Sequence, residues 1–155
     1  MAKLNVFENK KLVLKNVLIE QNNNIKFDEI DKKITDFENK IKLLKIQTFG
    51  PLVTKMYGTQ INEEGQLSAN YDIMIQAHDF EQYKKQFRIH KKLTAEYCVY
   101  VRFSDIPEFV QMASSAMELF MYENDIDDSG ILYTVILDTT EDNLILDYFI
   151  PVLTI

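Results

Sequence analysis

Apolar residues recur at steps of three and four through Phe27, Ile30, Ile34, Phe37, Ile41 and Leu44. That spacing lays one apolar stripe along a helix and predicts a helix over about 26–47. Asp28, Glu29 and Asp31 fall in its first turns, and Lys40, Lys42 and Lys45 near its end, as the helix dipole favours. Gly50 and Pro51 are expected to stop it. On either side the period changes to two. Leu12 and Leu14, then Val17 and Ile19, predict an extended segment over 4–20, bent at Lys15-Asn16 and closed by an Asn22-Asn23-Asn24 turn. After the helix, 52–57 and 67–76 predict a hairpin around a polar loop at 58–65. Tyr71, Ile73 and Ile75 should share one face, with Asp72 and Met74 on the other.

The same order then returns. A linker over 78–85 leads to an extended run over 87–103, with a kink expected at Thr94-Ala95. There Tyr97, Val99, Val101 and Phe103 should point one way, and Cys98, Tyr100 and Arg102 the other. Ser104 to Glu108 reads as a helix start, with Asp105 as cap and Pro107 in the first turn. Phe109, Met112, Ala113, Ala116, Met117, Leu119 and Phe120 form its expected buried stripe. The 124–130 segment breaks this helix. A final hairpin is predicted over 131–137 and 144–152.

Two copies of strand, helix, strand, strand therefore fill the chain. Gly50-Pro51-Leu52-Val53 and Ser129-Gly130-Ile131-Leu132 each follow a helix. Asp72-Ile73-Met74-Ile75 and Asp147-Tyr148-Phe149-Ile150 each place an acid before three apolar residues. The expected architecture is an α+β fold: tandem β-α-β-β repeats forming one antiparallel sheet with both helices on one face. The reading is one domain over 1–155, with halves 1–78 and 85–155. A seam between such halves is a natural place for a ligand groove.

Composition narrows the class. The 155 residues suit one domain, and 46% hydrophobic with 26% charged is ordinary globular chemistry. No apolar run reaches the roughly 20 residues of a membrane span, and no secretion signal is evident. Cys98 is the only cysteine, so an internal disulfide is excluded and a cytoplasmic setting is expected. A net charge of −7 argues against direct contact with nucleic acid. The basic run of Lys84, Lys85, Arg88, His90, Lys91 and Lys92 reads as a solvated linker and strand edge. His78, His90 and Cys98 lack metal-ligand spacing, and the 125–130 acidic loop does not complete a calcium pattern, so no metal or cofactor is expected. No nucleophile–base set or phosphate-binding glycine loop stands out, and no catalytic residue is assigned.

Taken in order, several segments resemble the GyrI-like effector-binding domains, found alone or fused to AraC- and MerR-type transcription regulators. These are the first extended segment, the helix opening on Phe27 and Ile30, Phe49-Gly50-Pro51 after it, Tyr97 to Phe103 before the second helix, and the closing Asp147-Tyr148-Phe149-Ile150-Pro151-Val152. The resemblance covers nearly the whole chain. It implies a groove between the halves that takes lipophilic, often cationic, small molecules against aromatic walls and an acid, usually Glu. Here Asp147, one methylene shorter, takes the acid's place, and the chain has no tryptophan. No helix-turn-helix is seen ahead of the domain, so a complete regulator is not expected.

The candidate ligand residues are Asp147, its repeat mate Asp72, the strand aromatics Tyr97, Tyr133 and Tyr148, and Glu96 near the expected groove mouth. A carboxylate among apolar residues is costly unless a cation or donor meets it. For Asp147 the alternatives are a ligand counter-ion, an outward-facing residue and a partner for Arg102. Aromatic walls hold cations and flat rings, each contact worth ~0.5–2 kcal/mol. The expected function is non-catalytic capture of a small lipophilic or cationic molecule. Two alternatives stand beside it. One is a protein-interaction role, as an adaptor or toxin-immunity protein, with a homodimer also open. The other is hydrolysis by Asp147 or Glu96.

Overall fold

The computed structural model describes residues 4–140 and 142–152. They form six strands and two α-helices: β1 (Val6–Lys26), α1 (Ile30–Leu43), β2 (Thr48–Ile61), β3 (Leu67–Ala77), β4 (Arg88–Asp105), α2 (Gln111–Glu123), β5 (Leu132–Thr139) and β6 (Leu144–Pro151). The fold is α+β, and the strand pairs described below are antiparallel. The chain gathers into two compact units, Leu14–Leu93 and Met1–Val13 with Thr94–Ile155. No helix among the described residues is long and apolar enough to cross a membrane.

In the Leu14–Leu93 unit, β3 lies between β1 and β2. Val17 pairs with Gln76 on one side, and Thr48 with Ala77 on the other. Alternation along β3 sends Ile73 into a core with Leu18, Phe37, Phe80 and Phe87, against which Tyr71 and Ile75 pack. Phe37 brings α1 into that core, and its ring meets Phe87 edge-on at 5.6 Å. The second unit repeats the plan, with β6 between β4 and β5. Val99, Val101, Phe103 and Ile150 close over Ala113, Met117 and Met121 of α2.

The duplication reaches the backbone. Asn16 on β1 and Tyr97 on β4 both have φ 55, five residues before the partner of the central-strand Asp, Gln21 or Arg102. Both helices end alike. Ile46 N–H donates to Ile41 C=O and Lys45 N–H to Lys42 C=O, while Ile126 donates to Met121 and Asp125 to Tyr122. This pairing consumes carbonyls the helix leaves open, and it places Lys45 and Asp125 at φ 54. Gly50 and Gly130 follow at the same spacing with φ 73 and 77.

Several local expectations are corrected. The first helix spans less than 26–47, because Phe27–Glu29 is a 3-10 turn and the Lys45 turn ends the helix. Gly50-Pro51 does not stop it. These residues lie inside β2, where the register jumps between Phe49 and Val53. Asn22-Asn23-Asn24 is no turn, since β1 runs through it and Asn24 (φ 54) absorbs a register shift. That bulge is held by Asn70, whose side-chain oxygen accepts from Asn24 N–H, and by Ser68, which donates to Asn24. Asp105 does not cap the second helix; its carboxylate accepts from the adjacent Ile106 N–H. The buried face of α2 is Ala113, Met117 and Met121. Phe109, Met112 and Leu119 are exposed instead.

Candidate functional site

Among the described residues, each unit carries one buried carboxylate at the same place, on the middle strand and on the face turned away from its helix. Asp147 on β6 faces Arg102 of β4 and Val135 of β5. Asp72 on β3 faces Gln21 of β1 and Lys55 of β2. A strand side chain can hold this position only if its alternate neighbours fill the core, as Tyr148 and Ile150 do beside Asp147, and Tyr71 and Ile73 beside Asp72.

The two carboxylates are satisfied very differently. Arg102 grips Asp147 with two parallel bonds, Nε to Oδ1 at 2.8 Å and Nη2 to Oδ2 at 2.9 Å. The Tyr100 hydroxyl donates to Oδ1 at 2.9 Å. Such a fork is among the strongest side-chain pairings. Asp147 also raises the pKa of the Arg102 guanidinium, while burial and then Asp147 raise that of the Tyr100 phenol. Of the alternatives open for Asp147, the structure displays the Arg102 partner.

Asp72 is held loosely. The Tyr57 hydroxyl donates to its Oδ1 across a long 3.4 Å. That hydroxyl accepts from Gln21 Nε2 at 3.1 Å, and Gln21 Oε1 accepts from Arg88 at 3.4 Å. Lys55 lies 4.8 Å from the centre of the Tyr57 ring. Burial raises the Asp72 pKa, with Lys55, Tyr57 and Arg88 pulling the other way. A carboxylate has about four acceptor positions, so Asp72 retains acceptor capacity.

The remaining candidates do not assemble into one set. Tyr133 is buried on β5 opposite Phe149, on the Asp147 face, where Phe149 lies 4.9 Å from Tyr100. Tyr148 alternates to the opposite face and packs against the α2 core. Tyr97 takes a positive φ of 55 on β4 and is 54% exposed. Glu96 is exposed and pairs with Lys11 at 3.5 Å. The choice of ligand residues from sequence left out Gln21, Lys55, Tyr57 and Arg88 around Asp72. The cross-strand partners of an acid on a middle strand are the signal that finds them, but the register is needed first.

No family model matches the chain, and no curated protein matches it. The fold does have solved counterparts. The crystal structure of the EcmrR C-terminal domain aligns over 99% of this chain and 98% of that one, with a TM-score of 0.68 at 10% identity. The chain has the GyrI-like fold. A second structure with this fold, EcmrR in a complex with DNA, aligns over 99% of this chain and 58% of that one, with a TM-score of 0.66 at 12% identity. SAV2435 bound to tetraphenylphosphonium aligns over 97% and 94% of the two chains at 11% identity, with a looser TM-score of 0.49. The GyrI-like resemblance drawn from the sequence thus holds at the level of fold.

Proposed function

We propose that the protein is a small-molecule-binding domain that captures a lipophilic cation or hydrogen-bond donor, with Asp72 as the accepting group. The observation that carries this is the contrast between two repeat-related acids. Asp147 is closed by three bonds of 2.9 Å or less, whereas Asp72 accepts from Tyr57 at 3.4 Å. A buried carboxylate with spare acceptors gains from a ligand donor that offsets its desolvation. Tyr57 and Gln21 add polar atoms that orient such a donor. The fold is compatible with this reading and does not decide it. A cytoplasmic setting belongs to the same proposal.

Calorimetric titration with tetraphenylphosphonium, an apolar monovalent cation, tests it. Asp72→Asn should weaken binding about ten-fold or more, since losing one member of a close charge pair at a binding surface costs about 1.5 kcal/mol or more. Equal affinity in wild type and Asp72→Asn, or no binding by either, ends this reading.

A second reading, contact with another protein, is favoured by the outer face of α2. Met112, Leu119 and Tyr122 recur there at helical spacing, with Phe109 in the turn just before, and all four are exposed, Tyr122 to 83%. A second copy of the chain is the partner to test. A dimer in sedimentation velocity that Leu119→Glu converts to monomer supports it, and a monomeric wild type removes it.

A further inference from the structure

The C-terminal half of α1 and the strands β2 and β3 frame a groove of about 380 Å3. Phe37, Ile41, Ile46, Leu52 and Ile75 supply its apolar lining. Two local features explain the lining. The register jump between Phe49 and Val53 takes Leu52 out of the β3 ladder, and the left-handed turn at Lys45 folds Ile46 back under the helix. The volume falls within the roughly 300–1,000 Å3 typical of small-molecule sites.

The rim gives the groove a preference. Lys42 and Lys45 border it, with Glu38 as the one carboxylate. The neighbouring Lys40 is committed elsewhere, 2.7 Å from Glu20 and over the Phe87 ring. Neither Lys42 nor Lys45 makes an ion pair among the described residues. An apolar floor with two uncommitted ammonium groups at its mouth complements a chain with an anionic head. This excess of positive charge sits on a protein of net charge −7.

We propose that this groove binds a single-chain amphiphile with a carboxylate head, of the medium-chain fatty acid type. The acyl chain lies along Ile41, Leu52 and Ile75, and the carboxylate meets Lys42 and Lys45. The site shares no residue with the Asp72 cluster and opposes it in charge preference, so the two proposals stand or fall separately.

Isothermal titration with sodium decanoate, kept below its micellar concentration, is the test. Saturable binding with one site per chain is expected. The Lys42→Glu/Lys45→Glu double variant should lose about ten-fold or more in affinity, as close charge pairs do at binding surfaces. Decyltrimethylammonium, with the same tail and a cationic head, should bind wild type at least about ten-fold more weakly, a comparison that needs no variant to fold. Asp72→Asn should leave decanoate binding unchanged while weakening tetraphenylphosphonium, which separates failure of this site from failure of the other. Absent decanoate binding, equal affinity for the two head groups, or indifference to the double variant overturns the proposal. So does association with phosphatidylglycerol vesicles in the absence of decanoate binding, which would assign the groove to bilayer lipid.

Discussion

Asp72 and Asp147 are one residue type at one place in two repeats, and their neighbours give them opposite energetic roles. Asp147 is buried but fully engaged, so removing its partner strands a carboxylate. Arg102→Ala should therefore destabilise the protein by about 1–3 kcal/mol in chemical denaturation, a range kept low because Arg102 is 56% exposed. Asp72→Asn should be neutral or stabilising at neutral pH. Burial raises the folded-state pKa of Asp72 above 3.8, so the folded state binds its proton more tightly than the unfolded state. Stability contributed by this group then falls as pH rises from 3.8 through the raised value, and the ionised acid remains a penalty above it. The advantage of Asp72→Asn should thus be largest at neutral pH and shrink as pH falls through that window. A pH-independent difference between the two proteins would contradict the assignment. Cys98 is a simpler case. It is fully buried, and desolvation pushes its thiol up to about 11. Iodoacetamide at pH near 8 should leave it unmodified in the native protein and alkylate it in urea.

At the scale of elements, the helix ends carry identifiable strain. Asp125 occupies the left-handed position after α2, where its negative charge also faces the negative end of the helix dipole. Asp125→Gly should remove both costs, raising stability by about 1 kcal/mol and Tm by about 2–4 °C. Gly130→Ala, at φ 77, should move Tm the other way. The period of the hydrophobic pattern made the order of elements and the α+β class readable in the sequence, because burial on one face imposes that period. On β3 it also separates Asp72 from Tyr71 and Ile73, whereas the face of Asp147 stayed open. The boundaries were less readable. The end of α2 at Glu123 falls where the 124–130 break is expected, but Lys45 adopts a conformation usually given to glycine and Asn24 bulges within a strand, so neither the end of α1 nor the supposed asparagine turn had a local signature. The α2 stripe was misjudged for another reason. Phe109, Met112 and Leu119 are as apolar as the residues that do go inward, and only packing against Val99 and Val101 selects Ala113, Met117 and Met121.

For the whole molecule, duplication raises the question of how many ligands one chain holds. Two units of the same topology, each with an acid on its middle strand, would give two equivalent cation sites if the acids were equivalent. They are not, because β4 supplies an arginine opposite its acid where β1 supplies a glutamine. Arg102 pairs Asp147 in a two-bond fork, whereas Asp72, facing Gln21 and Lys55, makes no such fork. Tetraphenylphosphonium should accordingly bind with one site per chain. Asp72→Asn should abolish or weaken that site, while Arg102→Gln, which reproduces the β1 chemistry on β4, should create a second one. The new site would keep one tyrosine donor on its acid, Tyr100 on β4 at 2.9 Å, where Asp72 has Tyr57 on β2 at 3.4 Å. Both events should weaken with added salt, since a chain of net charge −7 attracts cations through a field that ions screen over about 8–10 Å. Titrations of wild type and Arg102→Gln at two salt concentrations read out stoichiometry and screening together. One site in both proteins would show that the arginine is not what keeps Asp147 from a ligand, and two sites in the wild type would show that the paired carboxylate was never closed.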